Sequence, residues 1–500
     1  MPVPHPFGLS LSGGGFRATA FHLGVLKRLR ELRLLEEVDL LSTVSGGSIA
    51  GAYWVYWQTN KGDTLDKLSN DEWDRFERSL IEVLRRGIRG WVLWRGFGVP
   101  AVVLGALSGG LAWYLWPLSV WTLVGLALGP LVLAYIVWHY RVSIFLEKRY
   151  DQTLFNGSKV SDLKQLRMII NAAALNSGQL LLFSNLGQRQ PGSHELIESL
   201  LRTKTLLRRR ASVPMSLDIP LARAVAASSA IPGIFTPLTF KFNGLFGRLG
   251  IRVQRIFRLF QGFDPTPATY RVVDGGVFDN QGTQVLLDES CKAILVSDAA
   301  AALKRELRPS TWQLLPPGKG VVFRSQSIIY ERTRDLGYKR LVDRHDLFCL
   351  LKDAVRHGLS KQVASELAQK YAPLPEGFAY VELRPSKNFK WEPHIGRLPE
   401  ALVPYIAGVR TDLDRFSAIE ISALMFHGYS VIDHCIRAYR PDWITNSSPA
   451  LNFRPTIEDL FINWSTLSSG EVARIARHLD VSDSRIFIWR ILRRYLNRCE

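Results

Sequence analysis

From Gly96 to Trp138 the chain carries no charged residue, and most of this stretch reads GVPAVVLGALSGGLAWYLWPLSVWTLVGLALGPLVLAYIVW. Extended as helix it would run roughly 60 Å, about twice the ~30 Å hydrocarbon thickness of a bilayer, so two crossings fit and one does not. Pro117 is the natural turn between them. The expectation is a transmembrane hairpin of Val99–Trp116 and Leu118–Trp138, with Trp113, Tyr114, Trp116, Trp121 and Trp138 as interfacial anchors. Arg85, Arg86, Arg89 and Arg95 precede it, and Arg141, Lys148 and Arg149 follow. Positive-inside bias then gives an integral membrane protein with the rest of the chain on the cytoplasmic side. Two other arrangements use the same residues. Gly109, Gly110, Gly125 and Gly129 also suit a tightly packed helical pair in a soluble core, and a re-entrant hairpin would leave the same flanks together.

Length and charge bound the remainder. A chain of 500 residues, 47% hydrophobic, has ample material for a large core. Lys and Arg outnumber Asp and Glu by 63 to 45, a net +18, which calls for an anionic partner, either a phospholipid surface or nucleic acid. Cys291, Cys349, Cys435 and Cys499 lie far apart with no C-x-x-C pair, which speaks against a zinc site or a disulfide framework and fits a reducing compartment. The opening MPVPHPFGLSLSGGG has no basic start followed by an apolar stretch, so no cleavable secretory signal is expected.

Outside the hairpin the periodicity alternates. FGLSL (7–11) reads as a strand, residues 18–37 as an amphipathic helix with Leu23, Leu26, Leu29 and Leu32 at helical spacing, VDLLSTV as a second strand and GGSIAGAYWVYW as a second helix. Beyond the hairpin, 166–175, 179–184 and 291–299 read as strands and 221–230 as a helix. The β-α-β-α order predicts a mainly parallel sheet with helices on its faces, interrupted rather than preceded by the hairpin. There is no internal repeat.

Three loops carry candidate chemistry. Ser45 sits between a buried strand and a helix in V-S-G-G-S (44–48), the setting of a nucleophile elbow, whereas Ser42 falls in the strand and Ser48 in the helix. The G-x-S-x-G pattern would place glycine where Thr43 stands. SGGGFRA (12–18) offers the amides of Gly13, Gly14 and Gly15, with the charge of Arg17, as an oxyanion hole. A nucleotide-phosphate cradle or a plain β-α turn would use the same glycines, although the Lys-Ser/Thr ending of a P-loop is missing. In VVDGGVFDNQG (272–282), Asp274 stands at a strand end before two glycines. There it serves either as a general base, its pKa raised by burial, or as a turn residue bonded to its own backbone. No histidine has a comparable setting.

Taken together, G-G-G-x-R (13–17), V-S-G-G-S (44–48), AVAASSAIPGIFTPL (224–238) and DGGVFDN (274–280), in that order, resemble the patatin-like phospholipase family. Weaker likeness appears in 154–178 and 410–429. The resemblance implies a patatin-like three-layer α/β fold, and a Ser-Asp dyad with Ser45 as nucleophile and Asp274 as base. It further implies an oxyanion hole from Gly13, Gly14 and Gly15 beside Arg17, and no histidine, metal or other cofactor in the chemistry. The implied reaction is hydrolysis of carboxylic esters of phospholipids or lysophospholipids through an acyl-serine. A scaffold without catalysis, or a serine esterase, thioesterase or transacylase, would keep the same fold.

Independent support for a lipid partner comes from residues 243–263, where Arg248, Arg252, Arg255 and Arg258 alternate with large apolar residues, as suits a headgroup layer. A packed hairpin or helix with solvated arginines is the competing reading. Residues 484–498 repeat the pattern and 203–210 add a basic cluster, so the expected partners are anionic headgroups of a bilayer and a lipid substrate, with no nucleic acid. The expected organisation is a discontinuous catalytic domain over 6–440, the hairpin inserted at 96–140, and a basic helical extension over 441–500.

Overall fold

The computed structural model describes residues 3–60, 68–115, 119–185, 212–214, 219–241, 269–300, 319–371, 373–385, 389, 391, 396–444, 449–464 and 466–482. The basic stretches 203–210, 243–263 and 484–498, and Trp116 with Pro117 at the hairpin turn, lie outside them.

A mixed sheet forms the centre: β1 (Phe7–Leu11), β2 (Leu40–Val44), β3 (Arg167–Ala174), β4 (Gln179–Ser184), β5 (Ser212–Pro214), β6 (Leu238–Lys241), β7 (Thr269–Asp274), β8 (Ala293–Asp298) and β9 (Gly377–Glu382). The main path runs β5-β4-β3-β2-β1-β8-β9, with β7 joined to β3 and β6 to β7. From β3 through β2, β1 and β8 to β9 every pairing is parallel, while β4 and β7 meet β3 antiparallel. Strands β1, β2 and β8 are buried at every residue, which explains why their sequences are near-continuous apolar runs. The first two strands each feed a helix, α1 (Gly15–Glu31) and α2 (Gly46–Thr59). The α/β class and the first eight element positions read from the sequence are found, with ends shifted by a few residues. The helix expected over 18–37 instead starts at Gly15, stops at Glu31 and resumes as a single 3-10 turn at Leu35–Glu37.

After α3 (Asn70–Arg86) come the two apolar helices, α4 (Arg89–Tyr114, with a π turn at Trp94–Gly98) and α5 (Val120–Tyr150). Both are long and apolar enough to cross a membrane, and their apolar windows are almost wholly uncovered by the rest of the chain, so they are not a buried pair in a soluble core. The second helix does not end at Trp138 as expected. It continues twelve residues into the domain, where Val142, Ser143, Leu146 and Tyr150 are buried. At the base of the hairpin Arg95 and Arg149 both stack on Trp91.

Beyond α6 (Leu221–Ser228), the long helices α7 (Lys319–Arg356) and α8 (Ala418–Tyr439) are among the elements not read from the sequence, as are β6 and β9. Helix α8 crosses α1 with the backbones nearly touching. A Cβ on Gly24 would strike the Met425 carbonyl, and one on Gly428 the Phe21 carbonyl. Beside the crossing, the wholly buried Arg28 bonds Asp433 at 2.8 Å and the Pro449 carbonyl at 2.7 Å. Residues after 440 were expected to form a helical extension. Among those described, helix is confined to short 3-10 turns and Ser469–Asp480, and Trp443, Phe453, Leu460 and Trp464 are buried in the main core.

Asp433 is shared, since Arg437 Nε also bonds its Oδ2 at 3.1 Å, so Arg28→Ala leaves the buried carboxylate with one cation in place of two and the Pro449 carbonyl without its donor. The expected cost is about 1–3 kcal/mol, read as a lowered denaturation midpoint in detergent solution.

Candidate active site

The turn after β2 is strained in a way that isolates one serine. Ser45 has φ 49° and ψ −117°, outside the regions ordinary residues occupy, and α2 begins at the next residue. Such a turn needs bare neighbours: a Cβ on Gly46 would meet the Gly15 carbonyl, and one on Gly47 the Leu11 carbonyl. A network of neighbouring side chains holds the turn in place. The Ser45 N–H donates to Ser228 Oγ at 2.9 Å, and Ser228 Oγ donates to the Asn171 carbonyl at 2.7 Å. Ser48 Oγ lies 2.9 Å from Ser228 Oγ and 3.0 Å from Thr43 Oγ1. Ser42 Oγ donates to the Gly282 carbonyl at 2.7 Å and accepts from Asn171 Nδ2 at 2.9 Å. Ser42 and Ser48 therefore brace the structure, and Ser45 alone of the three lines the neighbouring cavity.

Asp274 arrives from far along the chain through strand register. Val44, the last residue of β2, pairs with Asn171 on β3, and Asp274, the last of β7, pairs with the next residue, Ala172. Two strands running in opposite directions thus end at adjacent positions of one template. The Asp274 N–H donates to the Ala230 carbonyl at 3.0 Å, and its Oδ1 accepts the Gly276 N–H at 2.7 Å. The turn bond that competed with the general-base reading is thus present, but it engages one carboxylate oxygen only.

The carboxyl is buried, and burial raises its pKa to about 6 from the ordinary 3.8. The neighbouring Ser45 hydroxyl and the Gly276 amide act in the opposite direction. At neutral pH the group is an anion poised to take a proton.

The glycine loop stands opposite. Gly14 (φ 141°) and Gly15 (φ 54°) take positive angles that favour glycine, and both line the cavity with Gly13. The amides are not equivalent. Gly13 N–H donates to the Asn280 carbonyl at 2.9 Å, whereas those of Gly14 and Gly15 have no acceptor among the described residues. Gly46 N–H, directly after Ser45, is also without one, and that position supplies an oxyanion donor in nucleophile elbows. Arg17 lines the same cavity, but its Nη1 donates to the Ala407 and Val409 carbonyls at 3.2 and 3.0 Å, so it pins the following segment onto the loop. The Thr411 carbonyl there fills the space a Cβ on Gly15 would need.

The cavity has a volume of about 360 Å³. One wall is apolar, Ile231 and Ile234. Another comes from α7, with Gln326, Tyr330, Glu331 and Arg334. None of these was singled out as a site residue, nor were Asn280 and Thr411. Sequence carried a signal for Ile231, Ile234 and Asn280, which lie inside the quoted motifs, and a weaker one for Thr411, which lies in the 410–429 stretch. His22 is buried between Ser297 Oγ and the Ser12 carbonyl, and burial lowers its pKa to about 4, so it is a neutral packing residue. Among the described residues no group of three or more His, Cys, Asp or Glu side chains could hold a metal ion.

A family model described as Patatin-like phospholipase matches residues 9–287. Among solved structures, VipD from Legionella pneumophila is 12% identical with a TM-score of 0.26, over 88% of this chain and 68% of its own. Human GIVD cytosolic phospholipase A2, solved in complex with methyl gamma-linolenyl fluorophosphonate, is 14% identical with a TM-score of 0.35, over 87% of this chain and 58% of its own. No curated protein matches.

Two outcomes are expected. Below its unfolded pKa Asp274 is neutral in both states, and above about 6 the folded state carries a buried charge. That gap amounts to about 3 kcal/mol, so Asp274→Asn should raise the denaturation midpoint at pH 8, with the gain fading as pH falls from 6 to 4. Ser228→Ala leaves the buried Ser45 amide unpaired at a cost of about 1–3 kcal/mol, and labelling of Ser45 by a fluorophosphonate should slow about tenfold while the protein stays folded.

Proposed function

The chain belongs to the patatin-like phospholipase family, and from that premise we propose that it is a membrane-attached lipid acyl hydrolase that cleaves carboxylic esters of phospholipids or lysophospholipids with Ser45 and Asp274. The observation that supports this reading best is the meeting of the Ser45 hydroxyl and the buried Asp274 carboxyl in one cavity, beside unpaired glycine amides. Asp274 takes the hydroxyl proton as Ser45 Oγ attacks the ester carbonyl carbon. The developing oxyanion is met by the amides of Gly14, Gly15 and Gly46. Collapse expels the lipid alcohol, which takes the proton back from Asp274 and leaves the acyl group on Ser45. Water then attacks the acyl-serine, giving its proton to Asp274, and fatty acid leaves as Ser45 is reprotonated. The chemistry uses no histidine and no metal.

Membrane attachment through α4 and α5 is supported by where their aromatics fall. Trp94 and Trp113 are nineteen residues apart, and Trp121 and Trp138 seventeen, which is ~28 and ~26 Å of helix. Both spacings approach the ~30 Å of the hydrocarbon layer, which supports one aromatic belt at each interface. The side chains at the tip are nearly free of the protein, with Trp113 88% and Trp121 85% exposed. The basic flanks favour a cytoplasmic side for the catalytic unit, which is drawn from both sides of the hairpin.

Fatty-acid release from mixed phospholipid vesicles is expected from the parent protein. Ser45→Ala should reduce it by about 10³-fold or more, and release by the parent should fall as pH drops through about 6, where Asp274 is protonated. Equal release by parent and variant would remove the hydrolase reading.

A further inference from the structure

The helix that rises out of the hairpin also braces the segment that forms one side of the cavity. Helix α5 passes from its exposed apolar part straight into the domain. There the Ser143 hydroxyl donates to the Thr236 carbonyl, and Glu147 takes an ion pair from Arg223 of α6 at 3.0 Å. Tyr150, fully buried, places its hydroxyl beside Ser229, the neighbour of the serine that anchors the Ser45 amide. The short segment clipped to α5 at Thr236 is the same one that supplies Ile231 and Ile234 to the cavity wall.

Distance along α5 converts this clip into a depth. Ser143 follows Trp138 by five residues, ~7.5 Å of helix, which is about the thickness of one headgroup layer. With Trp138 at the interface, Thr236 stands at the outer edge of that layer. Ile234, a large apolar side chain 46% exposed, stands two residues before it at the cavity rim. The apolar side of the cavity is thus tied to the hairpin, and its polar side, with Glu331 and Arg334, belongs to α7.

We propose that the cavity holding Ser45 opens at the headgroup level of the leaflet gripped by the base of the hairpin, and that a lipid ester enters sideways past Ile231 and Ile234 with its acyl chains still in that leaflet. This rests on the acyl-hydrolase reading above and names the source of the substrate: a bilayer-resident lipid in that leaflet, not a monomer dissolved in water. The hairpin then acts as a depth gauge as well as an anchor. It sets the height of the cavity mouth through α5.

The test is a depth measurement on the full chain reconstituted in phosphatidylcholine vesicles containing lipids with a nitroxide on the headgroup. A bimane dye is placed at Ile234→Cys, with Cys349→Ser and Cys499→Ser. A control carries the dye on native Cys349, with Cys499→Ser. Cys349 is exposed, and its neighbour His345 bonds the Pro375 carbonyl just before β9 starts, at the end of the sheet away from Ser45. Strong quenching at position 234 with little at 349 is the expected result. Equal quenching at both positions overturns the proposal. So does quenching at neither, as a hairpin buried against a second copy would give. Undyed parent protein in the same vesicles is treated with a fluorophosphonate. Failure to label Ser45 counts against the hydrolase reading alone, since the depth contrast decides the portal whichever way labelling goes.

Discussion

The arrangement depends on one strand serving as template for two others. Strand β3 holds β2 along its first residues and β7 along its last, with Val44 opposite Asn171 and Asp274 opposite Ala172. Because β2 is parallel to β3 and β7 antiparallel, their carboxyl ends point at each other across a single residue step. Backbone ladder bonds fix that step, and a slip of one residue would turn every side chain of the slipped strand to the other face. More than two hundred residues separate Ser45 from Asp274, yet their relation is set by hydrogen bonds that leave little freedom. The same strand contributes Asn171, whose carbonyl receives Ser228 and whose amide bonds Ser42, so the template also stiffens the turn it positions.

Holding these groups together costs stability. Ser45 adopts a backbone conformation that isolated residues avoid, and Asp274 carries its charge where water is largely excluded. The surroundings offset both. Ser228 and Asn171 secure the elbow, and Asp279 accepts amide protons from Gln281, Gly282 and Gln284, tightening the turn after Asp274. Asn280 from that turn locks onto Gly13, and the segment around Thr411 closes on Gly15. Strain and an unfavourable charge are concentrated where two loops and a helix end are each overdetermined by their neighbours.

This division explains what the sequence could reveal. Buried parallel strands and the helices that follow them advertise themselves through apolar runs and glycine turns, so β1 to β4, β8, α1, α2 and the Ser45 elbow are legible to within a few residues at their ends. The hairpin is legible because forty residues without charge have few possible settings. Strand β9 alternates buried and half-buried residues over only six positions, and α7 has mostly exposed or half-buried side chains with charges scattered round it, so neither shows a clear period. The far wall of the cavity follows from where α7 docks, and the engagement of Gly13 by Asn280 follows from tertiary packing. Nothing in G-G-G-x-R distinguishes the amide that is already bonded from the two that are open. Thr43 is intelligible only in three dimensions: its methyl packs where a Cβ on Gly51 would stand, so the bare Gly51 of the following helix makes room for it.

A serine with an aspartate and no histidine faces a difficulty of base strength, since a solvated carboxylate near 3.8 takes a proton from a hydroxyl poorly. Burial answers it in part by moving Asp274 to about 6. Under the proposed reading the remainder would come from conditions that favour the neutral acid further, and an apolar ligand in the cavity would supply them. An acyl chain lying along Ile231 and Ile234 would displace water from the rim, thin the solvation of the carboxylate and strengthen every fixed dipole aimed at the oxyanion. Base strength and oxyanion stabilisation then rise together when an apolar chain is present and fall when the cavity is wet. A short, water-soluble ester supplies the scissile bond without the drying, and a lipid supplies both. If Asp274 is the base, chain length enters the chemical step itself, and the apolar wall that α5 ties to the hairpin would be part of what makes a carboxylate sufficient.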